Sequence, residues 1–210
     1  EAYSINHHPD PDISRLMRSL AVQRVIHSLR AEKLLRKSPP RSLDEGAGLG
    51  ILVRLLRDDG YDAWGHDPYA APVFAEQYIS RDLPTGSFDL ITAIEVIEHT
   101  VETIDFVKEL AGRLSSEGTL LLTTELHDSR RFPDPLQWSY LAQEYGQHVS
   151  FLSSKGLQAI ADKTNLYWWA SLEFAGSKCI HLLSKKAPSR WSQMRFLRRH
   201  ARCEKVFKKG

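Results

Sequence analysis

Residues 41 to 69 read RSLDEGAGLGILVRLLRDDGYDAWGHDPY, and the rest of the chain makes sense around them. A short strand ends in Leu43-Asp44 and breaks into Gly46-Ala47-Gly48-Leu49-Gly50. It continues as ILVRLLRDD, whose apolar Ile51, Leu52, Leu55 and Leu56 recur at helical spacing. Gly60 closes that helix, Tyr61 to Gly65 read as a second short strand, and Asp67 follows 23 residues after Asp44. Strand, glycine turn, helix and acid-tipped strand make a nucleotide-binding geometry. Glycines without a Cβ let the backbone turn sharply beside an adenosine-type ligand, and an acid at the tip of the second strand can accept both ribose hydroxyls.

The order of the glycines selects among nucleotides. A dinucleotide fingerprint is G-x-G-x-x-G, with the last glycine easing helix packing and the helix N-terminus facing a pyrophosphate. Here Asp44 to Gly50 run D-x-G-x-G-x-G, which disfavours a nicotinamide oxidoreductase. The order resembles motif I of the class I S-adenosylmethionine-dependent methyltransferases. In that motif an acid precedes the glycines because the ligand carries an ammonium group and no phosphate, and Asp44 occupies the position.

Length and composition set outer limits. At 210 residues, 42% hydrophobic and 26% charged, the chain suffices for one domain with a sizeable core. Its two cysteines, Cys179 and Cys203, have no metal-like spacing and suggest a reducing compartment, so a soluble, cytoplasmic protein is expected. No apolar run approaches the roughly 20 residues that span a bilayer, and no basic segment leads into an apolar one at the N-terminus. Glu1 is not preceded by an initiating Met, which leaves a removed targeting segment open.

In chain order, Glu1 to Asp12 reads as an irregular polar arm in which His7 and His8 are solvated. From Ile13 to Lys37, Leu16, Leu20, Val25, Leu29 and Leu34 alternate with basic residues, as in one or two amphipathic helices that Ser38-Pro39-Pro40 terminates. A short helix is expected around Val73 to Gln77 and a third strand at Tyr78-Ile79-Ser80. Phe88 to Ile94 is a nearly continuous apolar run, as a buried parallel strand requires. Glu95-Val96-Ile97-Glu98-His99 then puts three ionisable groups at the strand's carboxyl end, where open α/β sheets place their ligands. A helix over Val101 to Ser115, a fifth strand over Thr119 to Glu125, a Ser153-capped helix over Ser154 to Lys163, and a hairpin of Leu166 to Phe174 with Ser177 to Lys185 complete the pattern. Between Leu126 and Ser150 periodicity fails in a long segment with Phe132, Trp138, Tyr140, Tyr145 and His148, of a length that is usually functional.

LDEGAGLG, GHDPY, SFDLITAIEVIEH, EGTLLLTTE and GQHVSFLSSKGLQAIA follow one another as in bacterial small-molecule methyltransferases of the ubiquinone O-methyltransferase-like group, a similarity covering Arg41 to about Leu183. The resemblance implies an α/β fold: a Rossmann-like, doubly wound seven-stranded sheet in the order 3-2-1-4-5-7-6, one strand antiparallel, with N-terminal helices ahead of it. Residues 1–40 would be the arm and cap helices, 41–186 the S-adenosylmethionine-binding domain, and 187–210 a basic tail. Carried over position by position, Asp44, Gly46, Ala47 and Gly48 would cradle the methionine part of S-adenosylmethionine, Asp67 the ribose, and Pro68 would flank the adenine. Ile79 and Ser80 would lie near the adenine, although the acid expected after the third strand is displaced to Asp82. Ile94 and Glu95 would face the methyl group, and S-adenosylhomocysteine would be the product.

A sulfonium methyl is already activated, so the protein must hold the acceptor in line and, for a hydroxyl, remove its proton. The candidate bases are His148, ranked first for its place in the long aromatic segment, then His99 and Glu95. A competing reading makes Glu95, Glu98 and His99, on one helical face at i, i+3 and i+4, ligands of a divalent metal with His148 as a fourth. The small-RNA terminal 2′-O-methyltransferases carry a similar run. A metal is possible but not favoured. The tail from Arg190 to Lys209 sets Arg190, Arg195, Arg198, Arg199, Arg202, Lys205, Lys208 and Lys209 against Glu204 alone, so a nucleic-acid or anionic-membrane contact competes there with a solvated helix. With a formal net charge of only +2, the reading preferred is O-methylation of a small hydroxylated acceptor, with RNA methylation or binding as the alternative. The sequence does not specify an oligomeric state.

Overall fold

The computed structural model describes residues 13–127, 138–141, 148–174 and 177–207. The N-terminal arm with His7 and His8, Phe132, Tyr145, Gly146, the Ala175-Gly176 turn and the side chains of Cys179 and Cys203 lie outside the described residues. One seven-stranded sheet runs in the order β3 (Ile79–Ser80), β2 (Asp62–His66), β1 (Arg41–Glu45), β4 (Phe88–Ile94), β5 (Leu114–Thr123), β9 (Ser177–Ser184), β8 (Tyr167–Phe174), and two further two-residue strands, β6 (Leu126–His127) and β7 (Leu152–Ser153), pair apart from it. With that short pair set aside, the order is the expected 3-2-1-4-5-7-6. The contacts group into two compact units, one running to Thr85 and resuming at Pro188, the other Gly86–Ala187.

In the first unit, α1 (Ile13–Ala31) is one helix. Its buried stripe is Val22, Val25, Ile26 and Leu29, at true helical spacing, while Leu16 is exposed. The expected face of four- and five-residue steps is therefore wrong at both ends. The helix stops because Lys33 turns left-handed at φ 58, with its amide on the Arg30 carbonyl and that of Leu34 on Leu29. The glycine turn joins β1 (Arg41–Glu45) to α2 (Ile51–Asp58), which buries Leu52, Val53 and Leu56. Gly60, at φ 81, ends α2 in the same way and leaves the Tyr61 amide on the Leu56 carbonyl. Tyr61 thus belongs to the helix stop, so β2 is Asp62–His66, one residue later than expected. β1 pairs in parallel with β2, and β2 with β3 (Ile79–Ser80). The helix expected at Val73 does not form, because the amides of Val73 and Phe74 both donate to the Leu49 carbonyl; only a 3₁₀ turn, Glu76–Tyr78, follows.

α5 (Arg190–Phe207) also belongs to this unit and buries Phe196 completely. Glu32, 4% exposed, accepts Arg199 Nε at 2.8 Å and pairs with Arg195 Nε at 2.6 Å. The hydrogen bond from Arg199 holds the Glu32 carboxyl below its usual range, against the opposing effect of burial.

The second unit holds β4 (Phe88–Ile94), α3 (Thr103–Arg113), β5 (Leu114–Thr123), β6 (Leu126–His127), β7 (Leu152–Ser153), α4 (Ser154–Lys163), β8 (Tyr167–Phe174) and β9 (Ser177–Ser184). β5 begins five residues before the expected Thr119, because a shift in register between Phe88 and Leu90 lets Leu114 also pair with β4. β9 is antiparallel to both β5 and β8. Ser153 caps α4 as expected, its hydroxyl accepting the Gly156 amide at 3.1 Å.

β9 buries His181 fully. Its Nε2 donates to the Thr124 carbonyl at 3.0 Å, and its Nδ1 accepts from the Ser171 hydroxyl at 2.9 Å. Burial pushes this imidazole down to about 4. An unfolded histidine titrates near roughly 6.5, so between these values the unfolded chain takes up a proton that the folded one refuses. Stability is therefore full above that window and falls as pH drops through it, by up to about 3 kcal/mol. Urea denaturation from neutral pH down to acid should show this slope in the parent and a flatter one in His181→Gln. Equal slopes would remove His181 as the cause.

Candidate functional site

The glycine turn is shaped by backbone groups of its own unit. The amides of Gly46 and Ala47 both donate to the His66 carbonyl, at 2.9 and 3.1 Å, and Gly46, Gly48 and Gly50 take φ values of 71, 53 and 82. The last two glycines serve different ends. A Cβ on Gly50 would lie 2.1 Å from the Phe74 carbonyl oxygen, so this glycine is required for close packing. A Cβ on Gly48 would meet nothing nearer than the Gly46 oxygen at 4.0 Å. The backbone there borders open space, as a cradle for a ligand requires, and the residues fit an adenosyl-amino acid in this respect.

Asp67 is already at work in the turn. Its Oδ2 accepts the Gly48 amide at 2.9 Å, and its Oδ1 accepts the amides of Tyr69 and Ala70 at 2.9 and 2.8 Å. The spacing suggests a ribose contact for this carboxylate; in the structure it holds the glycine turn to the chain that follows β2. Asp44 is buried at the end of β1, Ile79 and Ser80 are half-buried, and Pro68 is exposed. The Ser80 carbonyl accepts the Asp67 amide at 3.1 Å, and its hydroxyl accepts the Asp82 amide at 3.1 Å.

Sequence reasoning missed Glu45 and His66. The β1–β2 register sets them side by side, and His66 Nδ1 lies 2.9 Å from Glu45 Oε1 while its Nε2 faces the Arg81 carbonyl at 3.1 Å. The pair ties the ends of β1 and β2 to the chain just past β3. Its signal was available, since Glu45 and His66 directly flank Asp44 and Asp67.

In the second unit, Ile94 ends β4 and Glu95 adopts a left-handed backbone, φ 55, uncommon for a side chain of this size. The Glu95 amide donates to Thr123 Oγ1 at 2.8 Å, and the same hydroxyl donates to Glu95 Oε1 at 2.9 Å. Only Ile97–His99 continue as a 3₁₀ turn. Glu95, Glu98 and His99 therefore do not share an α-helical face, because the left-handed residue breaks the run before the turn starts. Among the described residues, no group of three or more His, Cys, Asp or Glu is gathered to hold a metal ion.

Glu98 is instead fully buried beside Tyr140. The Tyr140 hydroxyl donates to Glu98 Oε1 at 2.8 Å, which makes Thr124 Oγ1, at 2.8 Å from the same oxygen, the donor to it. Burial, and then the Glu98 charge, push the phenol far above its usual range, so it remains a donor. The Glu98 carbonyl accepts the amides of Val149 and Ser150 at 2.8 and 3.0 Å, strapping that segment to the turn.

His148 stands at the head of this strap. Its Nδ1 lies 2.5 Å from the Tyr140 carbonyl oxygen, which can only accept, so Nδ1 carries the hydrogen and in the neutral ring the lone pair lies on Nε2. The His148 ring packs against those of Tyr140 and His99, with centroids 4.6 and 4.9 Å away. Trp138, whose Nε1 donates to Glu125 at 2.8 Å, packs on Tyr140 and Phe151 and extends the aromatic wall. Of the three candidate bases, His148 and His99 are brought together, and Glu95 is engaged by Thr123.

Comparison with known proteins bears on the family and the fold. The family described as a methyltransferase domain matches residues 15–171. A ubiquinone biosynthesis O-methyltransferase of Bradyrhizobium diazoefficiens is 29% identical over 99 residues, 40% of this chain, and the match spans only 39% of that relative's length. The magnesium protoporphyrin IX methyltransferase of Synechocystis PCC 6803, crystallised with bound S-adenosylmethionine, superposes with a TM-score of 0.58 at 13% identity, covering 89% of this chain and 88% of that one. An O-methyltransferase family 2 protein of Planctomyces limnophilus in complex with apigenin superposes with a TM-score of 0.57 at 16% identity, over 86% of this chain and 63% of that one.

Proposed function

We propose that this chain, which belongs to the methyltransferase domain family and to the class I S-adenosylmethionine-dependent methyltransferases, methylates an oxygen of a small hydroxylated acceptor such as a sugar, phenol or natural-product intermediate. Its cofactor is S-adenosylmethionine, which when bound supplies a methyl group already activated for transfer. Residues 41–186 are assigned to cofactor binding and chemistry. Asp44 would take the ammonium group, Gly46, Ala47 and Gly48 the methionine backbone, Asp67 the ribose, and Pro68, Ile79 and Ser80 the adenine, with Ile94 and Glu95 as further contacts. Asp67 Oδ2, which accepts a single amide, retains one lone pair for a hydroxyl donor, while Oδ1 already accepts two.

The observation that carries the choice of an oxygen acceptor is the fixed tautomer of His148. A hydroxyl must lose its proton as it is methylated, and Nε2, the ring nitrogen not engaged by Tyr140, would take it. Glu98 and Thr124 hold the Tyr140 hydroxyl, and the Tyr140 carbonyl and ring hold the imidazole, so the base is oriented before an acceptor arrives. His99, packed edge-on to it, limits the ring's rotation. A cytoplasmic location goes with this reading. No helix among the described residues is long and apolar enough to cross a membrane.

Transfer of a labelled methyl group from S-adenosylmethionine to a panel of phenols, sugars, amines and thiols tests the proposal. Label should appear on hydroxyl acceptors and demethylated cofactor should accumulate in step. Label on nitrogen or sulfur acceptors alone would overturn the oxygen assignment.

A further inference from the structure

α5 is held to its unit by one side only. Phe196 is buried, Gln193 and His200 are half-buried, and Arg195 and Arg199 turn to Glu32. The opposite side carries Trp191, Met194, Arg198 and Ala201 at three- and four-residue steps, flanked by Arg190 and Leu197. Trp191 is 64%, Met194 49% and Leu197 41% exposed, a large apolar display for one surface helix. No acid precedes Glu204 in this helix, so that display sits in a field of positive charge. α1, which packs against α5, likewise leaves Ile13, Leu16 and Met17 exposed in its first turns.

We propose that the outward face of α5 docks on an anionic lipid surface, with Trp191, Met194 and Leu197 entering the headgroup boundary and Arg190 and Arg198 meeting lipid phosphates. An apolar stripe bordered by arginines is what an interfacial helix needs, and the indole can sit at headgroup level. RNA fits the face less well. Phosphates would use the arginines but leave Met194 and Leu197 in water, and Trp191 already lies against the Arg195 guanidinium, 4.4 Å from its ring centre. None of these residues is assigned to the base or to the glycine cradle, so the docking role does not depend on the acceptor.

Flotation of the full chain with vesicles of phosphatidylcholine, alone or with an equal part of phosphatidylglycerol, tests the proposal. The chain should float with the anionic vesicles at low salt and not with the neutral ones. The double variant R190E/R198E should lose at least roughly 25-fold in partitioning, the loss of an attraction of about 1 kcal/mol per juxtamembrane arginine before any repulsion of the new carboxylates, and Trp191→Ser should lose severalfold. Because none of these side chains faces Glu32 or Phe196, melting temperatures should match the parent. Equal flotation with neutral vesicles, or anionic binding untouched by R190E/R198E, would overturn the proposal. So would variant-sensitive binding to a single-stranded RNA oligonucleotide without vesicle binding, which would assign the face to nucleic acid.

Discussion

His148→Asn is expected to lower turnover by about a hundred- to ten-thousand-fold while leaving S-adenosylmethionine affinity within a few-fold. Asparagine keeps the approximate shape and a donor toward the Tyr140 carbonyl but has no nitrogen that can take a proton. The loss should therefore fall on kcat, and calorimetric binding of the cofactor should be nearly unchanged. Tyr140→Phe supplies the companion result. It removes the hydroxyl held by Glu98 and Thr124 but keeps the carbonyl that fixes His148, so turnover should fall less, with the base present but less firmly placed. If His148→Asn turns over like the parent with the true acceptor, or loses cofactor binding together with activity, His148 is a packing residue or a cofactor contact. The role of base would then pass to His99, its ring neighbour.

The second large effect separates two glycines that look alike in the motif. Gly50→Ala should destabilise the protein by roughly 2–5 kcal/mol, adding the strain of a left-handed alanine to overpacking against backbone. Its new methyl would stand 2.1 Å from the Phe74 carbonyl, in a turn already fastened by the Val73 and Phe74 amides, and that backbone has no rotamer with which to yield. In a chain of this size the melting temperature should drop by about 10 °C. Gly48→Ala carries only the conformational strain, about 1–2 kcal/mol, since nothing stands within contact of its methyl. That methyl does project into the open space assigned to the cofactor, so S-adenosylmethionine affinity should fall at least about tenfold, equivalent to 1.4 kcal/mol, in a protein that still melts near the parent. Thermal melts and calorimetry on both variants read the contrast. Unchanged cofactor affinity in Gly48→Ala would remove Gly48 from the cradle.

The elements that sequence alone placed are those governed by neighbours a few residues apart. β4 came out at Phe88–Ile94 and α4 at Ser154–Lys163, because a buried run and a Ser153 cap are local signals. The sheet order followed from the resemblance carried by the motifs. Boundaries slipped where a long-range bond outcompeted a local preference: Val73 and Phe74 donate back to Leu49 instead of starting a helix, and Leu114 joins β4 through an irregular register.

The site divides along the same line. D-x-G-x-G-x-G and the distance to Asp67 are spacings along the chain, so the glycine turn after β1 was legible without a structure. Which glycine packs and which one faces open space was not, because that depends on whether Phe74 or nothing lies across the turn. The identity of His148 as a candidate base was readable from its segment; which of its ring nitrogens carries the hydrogen toward Tyr140 was settled only by the Tyr140 carbonyl, eight residues away along the chain. Glu98 offered a metal ligand by letter, a reading not favoured, and its buried contact with Tyr140, 42 residues on, has no signal along the chain. Sequence therefore determined the buried run of β4, the Ser153 start of α4, the Gly60 stop of α2 and the glycine motif, all of which depend on short-range hydrogen bonding and backbone sterics. Tertiary structure alone decided the partners of Glu45, Glu98, Asp67 and Glu32, because a charged side chain's role is set by what folding brings within about 3 Å of it, a distance unrelated to separation along the chain.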